Sequence, residues 1–225
     1  MQEETKALGG MTLRAPLAPR SCLCTPSCEP RVGAPQPSAR RPRSATALRD
    51  GSVLIVGGGS CDCPSKTVWR TAEVYDPSAG KFTPVGSLSE ARYKHAAVPL
   101  ADGKVLVAGG SDARDWRGLL SSAELYDPSS RSFGGLPPMN ASRFKFPHAA
   151  IRLPSGDVFV AGGAEFPEVF RSKERIFVNV AEGFEAARYF ASATLLDDGR
   201  VLVVGGYSQE AHGLPATSRA WLYHP

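Results

Sequence analysis

No stretch of this 225-residue chain comes near the roughly 20 consecutive apolar residues that a bilayer-crossing helix requires. The longest apolar runs, Val53–Val56 and Val201–Val204, have the length of a strand. An export signal is missing too: MQEETKALGGMTLRAPLAPR carries two early acids and no apolar core. The expectation is a soluble, non-exported chain with no membrane contact and no assigned compartment. Cysteine is scarce, five in all with none after Cys63. The odd number leaves at least one thiol free or paired between chains. Cys22, Cys24 and Cys28 form C-x-C-x3-C. A zinc site usually takes four N/S ligands in paired C-x2-4-C spacing. Here a fourth ligand would have to come from far away, and no metal is expected. Cys61 and Cys63 are too close in sequence for an unstrained disulfide.

Catalytic signatures are missing as well. Gly57-Gly58-Gly59 is followed by neither Lys-Ser/Thr nor a helix, so it is no phosphate loop. Ser208 and His212 share a loop, as such residues commonly do without forming a Ser-His-Asp arrangement. His95 and His148 occupy one repeat position, with Ala191 in the corresponding place further on. No acid at fixed spacing completes a ligand set with them. The net charge of +4 is confined to one end. Residues 1–43 hold seven basic and three acidic side chains, and the remainder holds 19 of each sign. A neutral body argues against a nucleic-acid surface.

What the chain does have is repetition. RSATALRDGSVLIVGG from Arg43 recurs as HAAVPLADGKVLVAGG from His95, HAAIRLPSGDVFVAGG from His148 and ASATLLDDGRVLVVGG from Ala191. The turn glycines Gly51, Gly103, Gly156 and Gly199 are 52, 53 and 43 residues apart. Strand repeats of that length form radial or stacked arrays, because one unit cannot bury its own core. Repeats are expected over about 39–88, 89–139, 140–184 and 185–225. They follow a Pro/Arg/Cys-rich tail, 1–38, too poor in apolar residues to fold.

One repeat shows the construction. The Asp102-Gly103 pair between two strands predicts a hairpin with positive φ at both turn residues. Lys104–Ala108 reads as a strand buried on both faces. The Ala123–Tyr126 segment alternates, and Asp127-Pro128 starts a type I turn. Arg131–Phe133 begins an outer strand. The third repeat is degenerate in its second half, with strands expected near Glu168–Arg171 and 176–180. The fourth stops just after a third strand.

The Gly-Gly pair after an apolar strand, the Glu-x-Tyr-Asp-Pro segment and the aromatic at Phe82 or Phe133 together resemble the kelch repeat. The likeness covers about residues 39–225. The "DGRVLVVGG" form is similar to bacterial kelch proteins and to the kelch blades of galactose-oxidase-like enzymes. The resemblance implies an all-β propeller of four-stranded blades around a channel. Four blades are present, the last incomplete, either as a small ring or as part of a six- or seven-bladed one. In the copper-radical oxidases a ligand tyrosine opens a first strand, close to where Tyr189 falls. Those enzymes also need a cysteine cross-linked to that tyrosine, and a Tyr-His pair opening another first strand. Here no cysteine follows Cys63, and Tyr223-His224 lies on a third strand. No cofactor is expected.

Within the propeller reading, the segments before each first strand line the channel mouth: Arg92-Tyr93, Arg143-Phe144 and Arg188-Tyr189. Their guanidiniums suit carboxylate or sulfate groups, and their rings suit flat or sugar faces. The alternative is a structural unit bracing blade to blade. Trp116, in the Ser111–Gly118 loop, shares that face. The expected function is a non-catalytic module binding a protein, peptide or glycan there, with self-association through open blade edges. The alternatives are a sugar-acting oxidase or isomerase, or a truncated fragment without function.

Overall fold

The computed structural model describes residues 44–60, 66–208 and 215–225. The expectations for tail 1–38, for all five cysteines and for His212 lie outside the described residues.

Fifteen strands form four antiparallel sheets, and a short 3-10 turn at Asp115–Arg117 is the one helical element among the described residues. The first sheet contains β1 Ser44–Ala47, β2 Val53–Val56, β3 Ala72–Asp76 and β4 Lys81–Pro84. The second contains β5 Ala96–Pro99, β6 Val105–Ala108, β7 Ala123–Asp127 and β8 Ser132–Leu136. The third contains β9 Ala150–Arg152, β10 Val158–Val160, β11 Glu168–Arg171 and β12 Ile176–Asn179. The last has β13 Ser192–Leu195, β14 Val201–Val204 and β15 Ala220–Tyr223. Each sheet is a meander in chain order, and the fourth has three strands where the others have four. The innermost strands pack in sequence, β1 on β5, β5 on β9 and β9 on β13. This is a β-propeller arrangement with an incomplete last blade.

The core lies between blades. Leu54, Val56 and Ala72 meet Val105, Val107 and Tyr126 between the first and second. A larger cluster runs on through the third and fourth, with Leu106, Phe159 and Val203 among its members. Sheets packed face to face explain why the second strands read as unbroken apolar runs: both faces of β6 are buried.

The hairpin turns differ from expectation in one respect. Gly51, Gly103, Gly156 and Gly199 all have φ between 84° and 92°, but the residues before them do not have positive φ. In the second blade Gly103 N–H donates to Leu100 O at 3.1 Å and Leu100 N–H to Lys104 O at 2.8 Å. This is a three-residue loop closed by a left-handed glycine, not a two-residue turn. Asp102 serves as an acceptor, its Oδ1 taking the Lys104 N–H at 3.0 Å. The Asp-Pro turns behave as read: Asp127 Oδ1 accepts from Ser129 N at 2.9 Å and Ser129 Oγ at 2.6 Å.

Among the described residues no helix is long and apolar enough to cross a membrane.

Candidate functional site

The Gly-Gly pairs set the geometry of the channel mouth. Gly109 and Gly110 have φ of 62° and 94°. A Cβ on Gly109 would stand 2.7 Å from Arg143 O, and one on Gly110 2.7 Å from Tyr93 O. Only glycine fits so close to the neighbouring chain. Its amide then joins two blades: Gly110 N–H donates to Arg143 O at 2.7 Å, as Gly58 does to Arg92 O at 2.9 Å and Gly163 to Arg188 O at 2.7 Å.

With their carbonyls fixed, the arginines turn into the blades. Arg92 is 0% exposed; its guanidinium donates to Gly109 O at 2.7 Å and to Glu124 Oε1 at 3.2 Å. Arg143, also 0% exposed, donates to Gly162 O at 2.8 Å and to Glu168 Oε1 at 2.8 Å. Each glutamate sits on its blade's third strand and also takes backbone amides of the entry segment. Glu124 accepts from Ser89 N at 3.1 Å, and Glu168 from Asn140 N at 2.9 Å. Burial pulls both guanidinium pKa values down, and the glutamates oppose it. The third-strand glutamate, in Glu124-Leu-Tyr126 and in Glu168-Val-Phe170, is therefore the clamp that receives the arginine fork. In the fourth blade Trp221 occupies the glutamate position, opposite Val203 as Glu124 is opposite Val107. Arg188 lies over its ring, 5.2 Å from the centroid.

The aromatic candidates come together. Tyr93 and Phe144 have centroids 5.6 Å apart, and Trp116 meets Phe144 at 5.3 Å and Tyr189 at 4.8 Å, edge to face. Tyr189 continues to Tyr207 at 5.8 Å. Burial raises the Tyr189 and Tyr207 phenol pKa values, keeping both protonated at neutral pH. Of the seven sequence candidates, the four rings form one cluster, while the three guanidinium groups point away from it.

Three lysines complete the cluster. Lys145 Nζ stands 4.0 Å from the Trp116 centroid and donates to Tyr207 Oη at 2.8 Å. Lys94 Nζ lies 4.8 Å from the Tyr93 ring, and Lys66 Nζ lies 4.0 Å from it. Lys66 also hydrogen-bonds to Tyr93 Oη, which in turn donates to Asp115. Lys94, Lys145 and Phe190 each directly follow an Arg-aromatic pair, with φ of 54°, 57° and 56°. Non-glycine residues in that region are uncommon. The backbone explains them: Lys145 N–H donates to Lys94 O at 3.1 Å and Phe190 N–H to Lys145 O at 2.6 Å. The three residues form a hydrogen-bonded inner belt. The Arg-aromatic-Lys recurrence at Lys94 and Lys145 was the available signal for these lysines.

The two repeated histidines part company. His148 is exposed. His95 is buried, and burial, aided by the Arg92 charge, pushes its pKa down to about 3. Its Nε2 shares a hydrogen bond with Ser44 Oγ at 2.9 Å. A Phe146-Pro147 insertion before His148 accounts for the difference, because Phe146 enters the core in its place. Among the described residues no three His, Cys, Asp or Glu side chains are grouped to hold a metal ion.

Residues 92–140 match the family model of the kelch motif. The chain is similar to the F-box/kelch-repeat protein SKIP20 of Arabidopsis thaliana, 33% identical over 138 residues, covering 58% of this chain and 32% of that protein. It is also similar to Kelch-like protein 36 of Mus musculus, 30% identical over 132 residues, and of Bos taurus, 29% identical over 136. Each of those matches covers 57% of this chain and 20% of the relative. The chain thus spans between a fifth and a third of the curated relatives it matches.

Proposed function

The chain is a kelch-repeat protein, and from that premise we propose that it is a protein-interaction module taking a protein or peptide segment on the loop face at the channel mouth. The observation that carries the reading is the Trp116-centred ring cluster with its lysines. Rings and ammonium groups gathered at one place suit a segment that offers flat or apolar groups beside acceptors. In this reading the arginines position the belt, the buried Tyr189 and Lys145 hold the cluster from behind, and the half-buried Trp116 meets the ligand. One relative is an F-box/kelch-repeat protein, in which kelch repeats stand beside an F-box.

A glycan is the alternative occupant of the same rings, and a sugar-acting enzyme would use them too. The test is selection of peptides from a random display library against the full chain, beside a sugar panel. Peptides that bind and lose at least tenfold affinity with Trp116→Ala support the reading. Equal binding to that variant moves the site elsewhere, and a saturable sugar with no peptide replaces it with the glycan reading. Turnover of such a sugar would favour the enzyme.

Self-association is the second part of the proposal. The outer side of β15 has no strand paired to it among the described residues. An unpaired edge and its blade offer surface to another chain.

A further inference from the structure

Alternate residues of a strand point to opposite faces of its sheet, so register gives each blade two sides. In the second blade Leu106 and Ala108, opposite Leu125 and Ala123, form the side packed against the third blade. All four are between 1% and 7% exposed. The same repeat positions in the fourth blade are Leu202 and Val204, opposite Leu222 and Ala220. There Val204 and Leu222 are each 40% exposed, and Ala220 is exposed as well. The blade's other side is sealed: Val203 lies in the core and Tyr223 stacks on Phe159 of the third blade at 4.1 Å. Of four positions that elsewhere form a joint between blades, three are thus exposed on one side of the fourth and Leu202 is half-buried.

The matching side is on the same molecule. In the second blade Val105 and Tyr126 face the first, at 0% and 1% exposure. Their equivalents in the first blade, Val53 and Tyr75, are a register pair and only half-buried. Ala45 and Ala47 on that side are exposed, while Ile55 is buried. The innermost strands of these blades do not meet within the chain as neighbouring ones do: β13 packs on β9 and not comparably on β1.

We propose that the two sides meet between molecules: the fourth blade of one copy packs on the first blade of a second copy, reciprocally, closing a dimer. This rests on the self-association reading and specifies its surface. The occupant is a second copy because the chain carries both halves of a joint it already makes three times internally. Two copies give about eight blades, within the usual range of propellers, whereas three would exceed it. A head-to-tail contact must close or else run on into a fibre, and reciprocal use of both sides closes it.

The test is light scattering with size-exclusion chromatography on the full chain over a hundredfold concentration range. The expected mass is twice 23.9 kDa. Val204→Glu with Leu222→Glu, and separately Ala45→Glu with Ala47→Glu, alter positions that include the most exposed on each side. Each pair is expected to give folded monomers, judged by unchanged circular dichroism. Mixing the two variants leaves one intact joint and is expected to restore a heterodimer. A wild-type monomer throughout overturns both the proposal and the self-association reading. A dimer that survives either pair overturns the proposal alone, as does a mixture that stays monomeric.

Discussion

Arg188 and Trp221 stand in the relation that Arg143 and Glu168 hold one blade earlier, with a ring face in place of a carboxylate. The guanidinium lies 5.2 Å from the Trp221 centroid, while the Arg143–Glu168 pair is closed at 2.8 Å. Arg188 keeps a looser ion pair with Glu185 at 3.4 Å. Trp221 also packs edge-on against Phe184 at 4.9 Å. Trp221→Phe keeps most of that packing and weakens the cation–π contact, so it is expected to cost about 0.5–1 kcal/mol. Trp221→Ala removes both and is expected to cost clearly more. Urea unfolding of the two variants measures the difference.

Arg143 and Glu168 are each 0% exposed in their side chains. Removing one partner leaves the other buried and uncompensated. Glu168→Ala is expected to destabilise by about 3–5 kcal/mol. It also strands the Asn140 and Ala141 amides that Glu168 accepts. Lys104–Asp127, a partly exposed pair, makes the contrast: Lys104→Ala is expected to cost at most about 1 kcal/mol. Denaturant midpoints at constant slope are the check.

His95 makes stability pH-dependent. Its ordinary pKa of 6.5 falls to about 3 in the folded protein through burial and then the Arg92 charge. The unfolded chain binds a proton below 6.5 that the folded chain refuses. This contribution is complete above about pH 6.5 and is lost steadily as pH falls toward 3. Carboxylates with lowered pKa values, such as Asp50 and Asp198, add their loss only below about pH 4. The His95 contribution thus changes across the interval from 6.5 to 4, above the range of those carboxylates. His95→Gln is expected to flatten the melting temperature across that interval, measured by differential scanning fluorimetry.

Gly110→Ala is expected to be damaging, by more than about 1 kcal/mol, since φ is 94° and the new Cβ meets Tyr93 O at 2.7 Å. Gly134→Ala, with nothing within 4 Å and no positive φ, is expected to be neutral or slightly stabilising. Thermal melts of the pair settle it.

The blades were legible because their signals are local and recur. An apolar run before Gly-Gly, an Asp-Gly or Ser-Gly turn and an Asp-Pro turn each act within a few residues. The degenerate half of the third repeat lacks those signals, yet the strands expected near Glu168–Arg171 and 176–180 are present as Glu168–Arg171 and Ile176–Asn179. The arginine–aromatic segments were visible as a pattern, but the direction of their side chains was not. That direction depends on a glutamate about 25 to 32 residues away and on a glycine carbonyl. The Lys145–Trp116 contact was equally hidden, because it joins a belt residue to a loop that differs in every repeat. His148 was misleading for a related reason: two inserted residues moved it outward while its neighbours stayed in register.

The inner belt has a mechanical meaning. Lys94, Lys145 and Phe190 are tied carbonyl to amide in series, so a displacement of one innermost strand cannot be absorbed by its own blade. It travels sideways to the next. The rim along the second to fourth blades should thus respond as one open hoop, while the outer strands β4, β8 and β12, each paired to a single strand of its sheet, fray more readily one at a time. Slow amide exchange would mark the hoop and fast exchange the periphery. A partner gripping the mouth would hold every blade the hoop connects, not only the loop it touches.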